Sequence, residues 1–274
     1  MSLVLSGKSA GRISAKTEEA VRRIAEELGY RPNIAARALR TGAARSVGLV
    51  VPDVTHPFFG LTMRGAQEAA WSAGYAVALV DVPLDRPLEA PLEALRAGPA
   101  DGFIYFSVEP PERRPGGERI VVIEAEPEGV PWVALDTAGG TDAALASVGV
   151  SPEGLWSGSG FDFDDACRSA RTLLETEDPP TAVICDDDIL AGGVYLAARE
   201  LGLRIPEDVS VVGFDDLPFV RVLSPGLTTI GADAEQLGAV AFGALASVMA
   251  GEQVGGQTLP VELVVRDSTA PPRS

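Results

Sequence analysis

Short apolar strands alternate with amphipathic helices from residue 46 almost to the C-terminus, which predicts an α/β protein with two parallel sheets and helices on both faces. Two further observations point the same way. Several strands are nearly continuous apolar runs, as expected when both faces of a strand are covered. The length of 274 residues also suits two lobes with a small appendage. That appendage, residues 1–45, reads as a partial α-helical headpiece.

The headpiece contains one clear helix. Ser14 is a suitable cap, acids occupy the first turn, and Val21, Ile24, Ala25 and Leu28 recur at helical spacing before Gly29 stops the run. Arg31-Pro32 restarts the chain, and Asn33 can cap a very short helix over 34–40 that halts at Thr41-Gly42. Fewer than ten residues cannot hold a helix alone. The body then follows in order: strand 47–51, helix 57–72, strand 75–80, a helix near 87–96, and strands 102–105, 120–123 and 132–135. A helix at 164–175, strand 182–185, helix 187–201, strands 209–213 and 227–230 and a helix at 234–250 complete it. The polar stretch 107–119 reads as a loop. This order places the first lobe at about 46–137 and 225–253, and the second at about 138–224 and 254–274.

Composition narrows the function. Hydrophobic residues make up 46% of the chain and charged residues 22%, which excludes a disordered acidic chain despite a formal charge of −17. No apolar run is long enough for a membrane span and no signal sequence is visible, so the expected location is cytoplasmic, with no membrane partner. Cys167 and Cys185 are too few for a disulfide framework or a structural zinc site, and no cofactor or metal is expected. Charge is segregated: residues 1–45 hold nine Lys or Arg against four Glu, whereas the remainder is strongly acidic. A basic head on an acidic body would confine contact with a polyanion to the head. An ordinary solvated helix is the alternative reading of the charge alone.

The segment Tyr30-Arg31-Pro32-Asn33-Ile34-Ala35-Ala36-Arg37-Ala38-Leu39-Arg40, followed by Val47-Gly48-Leu49-Val50-Val51-Pro52-Asp53-Val54-Thr55-His56-Pro57-Phe58-Phe59, resembles the lac repressor family of bacterial transcription regulators. Similar blocks continue in family order at 180–191, 201–216, 223–230 and 263–270. The resemblance implies a two-lobed fold like that of periplasmic sugar-binding proteins, a helix-turn-helix headpiece, a homodimer, operator DNA as a partner, and control by a small effector such as a sugar or nucleobase. Leu3 to Lys8 is similar to the tail of the family's recognition helix, so the headpiece is truncated relative to the family. About thirty residues fewer than a typical βα unit plus helix lie near 141–146.

Within the short helix at 33–41, the resemblance makes Leu39 a wedge for the minor groove, with Asn33, Ala36, Arg37 and Arg40 as its DNA-contacting neighbours and Arg45 as a further phosphate partner. Leu39 packed against the body is the alternative. The effector candidates sit at carboxyl ends of strands, where ligands of open α/β folds bind. In the first lobe these are Asp53, His56, Phe58 and Phe59, with one of the two Phe rings expected in the core and the other facing the cleft. In the second lobe, family position implies Phe161, Asp187 and Asp215. Within Asp186-Asp187-Asp188 three uses compete: ligand acceptor, helix cap and metal ligand. A solute-binding protein of a sugar transport system shares the body, but it would need a signal peptide and no hinge. An enzyme is disfavoured because no nucleophile has a base beside it.

Overall fold

The computed structural model describes residue 4 and residues 13–29, 43–82, 100–106, 119–137, 140 and 162–271. Outside these lie the expected short helix at 33–41, with Asn33, Ala36, Arg37, Leu39 and Arg40, the expected helix near 87–96, and Phe161.

The head helix α1 (Ala15–Glu27) begins where the sequence predicts, with the Ser14 hydroxyl accepting from the Thr17 amide. In the body, β1 (Ser46–Val51) leads into α2 (Pro57–Ser72), followed by β2 (Ala76–Asp81), β3 (Phe103–Phe106), β4 (Ile120–Ile123) and β5 (Trp132–Leu135). The second half contains α3 (Phe163–Leu174), β6 (Ala182–Ile184), α4 (Asp188–Leu201), β7 (Ser210–Asp215), a 3-10 turn (Pro218–Val222), β8 (Thr228–Gly231) and α5 (Ala234–Ala250). Two three-residue strands, β9 (Gln257–Leu259) and β10 (Glu262–Val264), finish the fold.

These strands form two sheets, ordered β2-β1-β3-β4-β5-β9 and β10-β8-β7-β6. Every pairing is parallel except β10 on β8. The lobe boundaries differ from the sequence reading at two places. Residues 228–231 pair with β7 and belong to the second sheet, and 257–259 pair with β5 and belong to the first. The chain thus crosses between lobes after β5, between β8 and α5, and between β9 and β10. Strands of three residues carry no readable period, so β9 and β10 left no sequence signal.

Helices α2 and α5 form the tightest junction of the first lobe. A Cβ on Gly65 would fall on the Glu235 carbonyl oxygen, and one on Gly238 would fall on the Thr62 carbonyl oxygen. Glycine at both positions lets the two backbones touch, and Leu237, Ala241 and Leu245 beside them fill the core with Val47, Leu49 and Ile104.

A clamp holds the start of the body. The Asp101 carboxylate accepts from the amides of Ala44 and Arg45, each at 2.8 Å, while Arg45 takes a left-handed φ of 58°. The Arg45 guanidinium lies 5.2 Å from the Tyr75 ring centre and donates to the Ala73 carbonyl. Arg45, expected from sequence as a phosphate partner, is therefore held against the body, because its strained backbone turns the side chain toward Tyr75.

Gly238→Ala should lower the unfolding free energy by about 1–3 kcal/mol, because overpacking at the α2/α5 crossing outweighs the roughly 1 kcal/mol that alanine adds in helix propensity. Urea denaturation measures it, and a more stable variant would contradict the close approach.

Candidate functional site

The carboxyl ends of the two sheets bring together most of the expected site residues that lie among those described. On the first lobe, the turn after β1 is held by Asp53, whose carboxylate accepts from the Thr55 amide at 2.8 Å and the Thr55 hydroxyl at 2.6 Å. The Thr55 hydroxyl is the main reason the Asp53 carboxyl lies below its ordinary pKa, with burial acting against it. Asp81, at the end of β2, accepts from the Val54 amide at 3.1 Å. His56 caps α2: its Nδ1 accepts from the Phe58 amide at 3.3 Å, and Pro57 opens the first turn.

The two phenylalanines divide. Phe58 enters the first core, whereas Phe59 stays partly open and packs edge-on against Phe106, 4.7 Å between ring centres, with His56 at 5.4 Å. Phe58, expected as an effector contact, is therefore displaced: the first turn of α2 rotates its ring inward, and Phe106, at the end of β3, takes the place beside Phe59.

The three consecutive acids on the second lobe have separate positions. Asp186 is exposed. Asp187 caps α4 through Oδ1, which accepts from the Leu190 amide at 2.6 Å. Asp188, fully buried, accepts from the Leu217 amide at 2.7 Å and the Thr229 hydroxyl at 2.6 Å. Desolvation pushes the Asp188 carboxyl up to about 7, against those two hydrogen bonds.

Across the cleft, His56 Nε2 and Asp187 Oδ2 stand 3.6 Å apart, with side chains 9% and 6% exposed. Neither atom has a hydrogen-bond partner among the described residues. A buried polar atom left unpaired costs about 1–3 kcal/mol, so a ligand hydroxyl that bridges the two would be favoured.

Two more acids face the same space. Asp215 ends β7 with φ 103°, and Glu124 follows β4 with φ 61°. Non-glycine residues in this region carry strain and cluster where geometry is functionally constrained. Desolvation is the first cause of the raised Asp215 carboxyl pKa, followed by the charges of Asp188, Asp187 and Glu124. Glu124 is pushed up to about 7, again by desolvation, although its Oε1 accepts from the Leu135 amide at 2.9 Å. Asp216 is occupied: Arg266 donates to it at 2.5 Å and Arg221 lies 3.4 Å away. Sequence reasoning missed Glu124, Phe106 and the Arg266 pairing. An acid directly after a buried strand was the one available signal for Glu124.

Among the described residues, no group of three or more His, Cys, Asp or Glu is arranged to hold a metal ion, and no helix is long and apolar enough to cross a membrane.

Residues 114–269 match the family profile of the periplasmic binding protein-like domain. Residues 44–150 match that of periplasmic binding proteins and the sugar binding domain of the LacI family. The ribose operon repressor of Halalkalibacterium halodurans is 29% identical over 98% of this chain and 92% of the relative. The HTH-type transcriptional repressor CytR of Escherichia coli is 27% identical over 94% of this chain and 89% of its own length. A solved LacI family transcriptional regulator from Enterococcus faecalis with bound ribose superimposes with a TM-score of 0.75 at 25% identity, covering 83% of this chain and 100% of that one. With its two parallel sheets meeting at a cleft, the chain belongs to the LacI family of periplasmic-binding-protein-like regulators.

Two outcomes test this geometry. Asp188→Ala should cost at least about 2 kcal/mol, since each stranded buried partner costs about 1–3 kcal/mol; an unchanged denaturation midpoint would refute the brace. The second concerns pH. A carboxyl whose pKa is higher in the folded than in the unfolded chain contributes stability that is complete below about pH 4 and lost as pH climbs through about 7. Glu124→Gln should therefore make the decline in unfolding free energy between pH 4 and 7 shallower, measured by denaturation at several pH values.

Proposed function

We propose that this chain is an effector-responsive, DNA-binding transcriptional repressor acting in the cytoplasm, whose interlobe cleft binds a small polar metabolite, a sugar, and changes operator affinity allosterically. The observation that carries this reading is the unpartnered pair His56 and Asp187, one from each lobe, buried and aimed at the same point. A hydroxyl bridging the two would accept from His56 Nε2–H and donate to Asp187 Oδ2, tying one lobe to the other. Phe59 supplies an apolar face for a ring, and Asp215 a strong acceptor. Relatives named as a ribose operon repressor and as a ribose-bound regulator support a sugar as the class of ligand.

Closure is passed toward the DNA-binding end through the Asp101 clamp, which holds Ala44 and Arg45 against the first lobe. The head docks with Asn33, Ala36, Arg37 and Arg40 on the DNA backbone and Leu39 in the minor groove. The chain pairs as a homodimer through the outer face of α2, where Trp71 is 63% exposed.

The experiment that tests this reading is a thermal-shift screen with ribose, other pentoses and hexoses, and nucleosides. A ligand at one hundred times its dissociation constant adds about 2.7 kcal/mol of stability, and Asp215→Ala should remove the response. A response that survives Asp215→Ala would move the ligand elsewhere. In operator titrations, Leu39→Ala should weaken binding, whereas Asp101→Ala should leave effector affinity intact but reduce the change in DNA affinity that the effector causes.

A further inference from the structure

We propose that the ligand of this cleft carries a protonated amine among its hydroxyls: an amino sugar, rather than a neutral or phosphorylated one. The inference rests on the reading of the cleft as the effector site and adds the charge of the molecule that fills it.

Consider which carboxylates still lack a donor. Asp188 is committed to the Leu217 amide and the Thr229 hydroxyl, and Asp216 to Arg266 and Arg221. Three acids remain. Among the described residues, Asp187 Oδ2 is buried without a partner, the Asp215 carboxyl accepts no hydrogen bond, and Glu124 accepts only from the Leu135 amide, on Oε1. They come from both lobes, and Asp215 lies within the electrostatic reach of Asp187 and Glu124. Positive φ at Glu124 and Asp215 holds both residues in a conformation that side-chain-bearing residues rarely adopt, so their placement is imposed by the surrounding fold.

Among the described residues the opposing charge is missing. His56 stands 3.6 Å from Asp187, but its Nδ1 accepts the Phe58 amide hydrogen. With Nδ1 accepting, the ring offers the cleft a single donor, at Nε2. Arg266 is turned to Asp216 and the Leu227 carbonyl. The sequence between Arg119 and Arg168 contains neither Lys nor Arg, so the whole run from β4 to α3 brings no cation to the site. Three acids facing a single donor favour a group with a positive charge and several N–H donors over a phosphate. The described residues offer no metal-holding cluster to supply that charge instead.

Isothermal titration of the full chain at neutral pH and moderate salt tests the proposal with matched pairs: D-glucosamine against D-glucose, D-galactosamine against D-galactose, with N-acetyl-D-glucosamine, D-glucose 6-phosphate, D-ribose and calcium chloride alongside. At least one amine is expected to bind tenfold or more tightly than its neutral and N-acetylated counterparts, and the phosphate ester to bind weakest. In the double variant Glu124→Gln, Asp215→Asn the ratio of amine to neutral affinity should fall toward one. Ribose or a hexose binding as tightly as the amines would overturn the amine and leave the sugar-effector reading standing. Binding by none of the sugars would overturn both. A heat of binding with calcium alone would assign the carboxylates to a metal and overturn the proposal.

Discussion

One buried carboxylate organises the second lobe. Asp188 is the first residue of α4, yet its oxygens are taken by the amide of Leu217, beyond β7, and the hydroxyl of Thr229, in β8. Removing a carboxylate from water is costly unless it is hydrogen-bonded, so the helix start, the β7 turn and β8 are compelled to meet at one point. Gly213 is glycine for the same reason, since a Cβ there would collide with Asp188. Asp187 and Asp215, both near this anchor, take their places at the cleft from it.

The first lobe reaches rigidity by another route. Its α2 and α5 helices are joined by backbone contact at Gly65 and Gly238, with no buried charge involved. That crossing carries His56 at its head and so fixes the histidine's Nε2 in space. The two bodies thus present polar atoms to each other, His56 Nε2 from one and Asp187 Oδ2 from the other. The Asp101 clamp ties Ala44 and Arg45, at the start of the body, to the first lobe.

Much of the architecture was legible because strands buried on both faces and amphipathic helices leave strong periodic patterns. The Ser14 cap and the helices α2, α4 and α5 were readable within a residue or two. The second and third lobe crossings were harder to read: β8 is close to its parallel neighbour in sequence and looks like the start of the next unit, while β9 and β10 are three residues each. At the site, strand ends pointed to Asp53, His56, Asp187 and Asp215. Sequence could not divide the labour within 186–188, because a run of identical side chains says nothing about direction. Pairings such as Arg266 with Asp216, fifty residues apart, exist only once the sheets have formed.

The way the chain weaves between lobes has a consequence for its synthesis. The first sheet needs β9 and the second needs β10, and both are made from residues 257–264. Neither lobe can be finished while the ribosome is still translating the other. Among the described strands, a nascent chain would leave the β5 and β8 edges unpaired until residues 257–264 emerge, and those eight residues seal both. Protection of those edges by chaperones should matter more for this protein than for one whose domains close in succession.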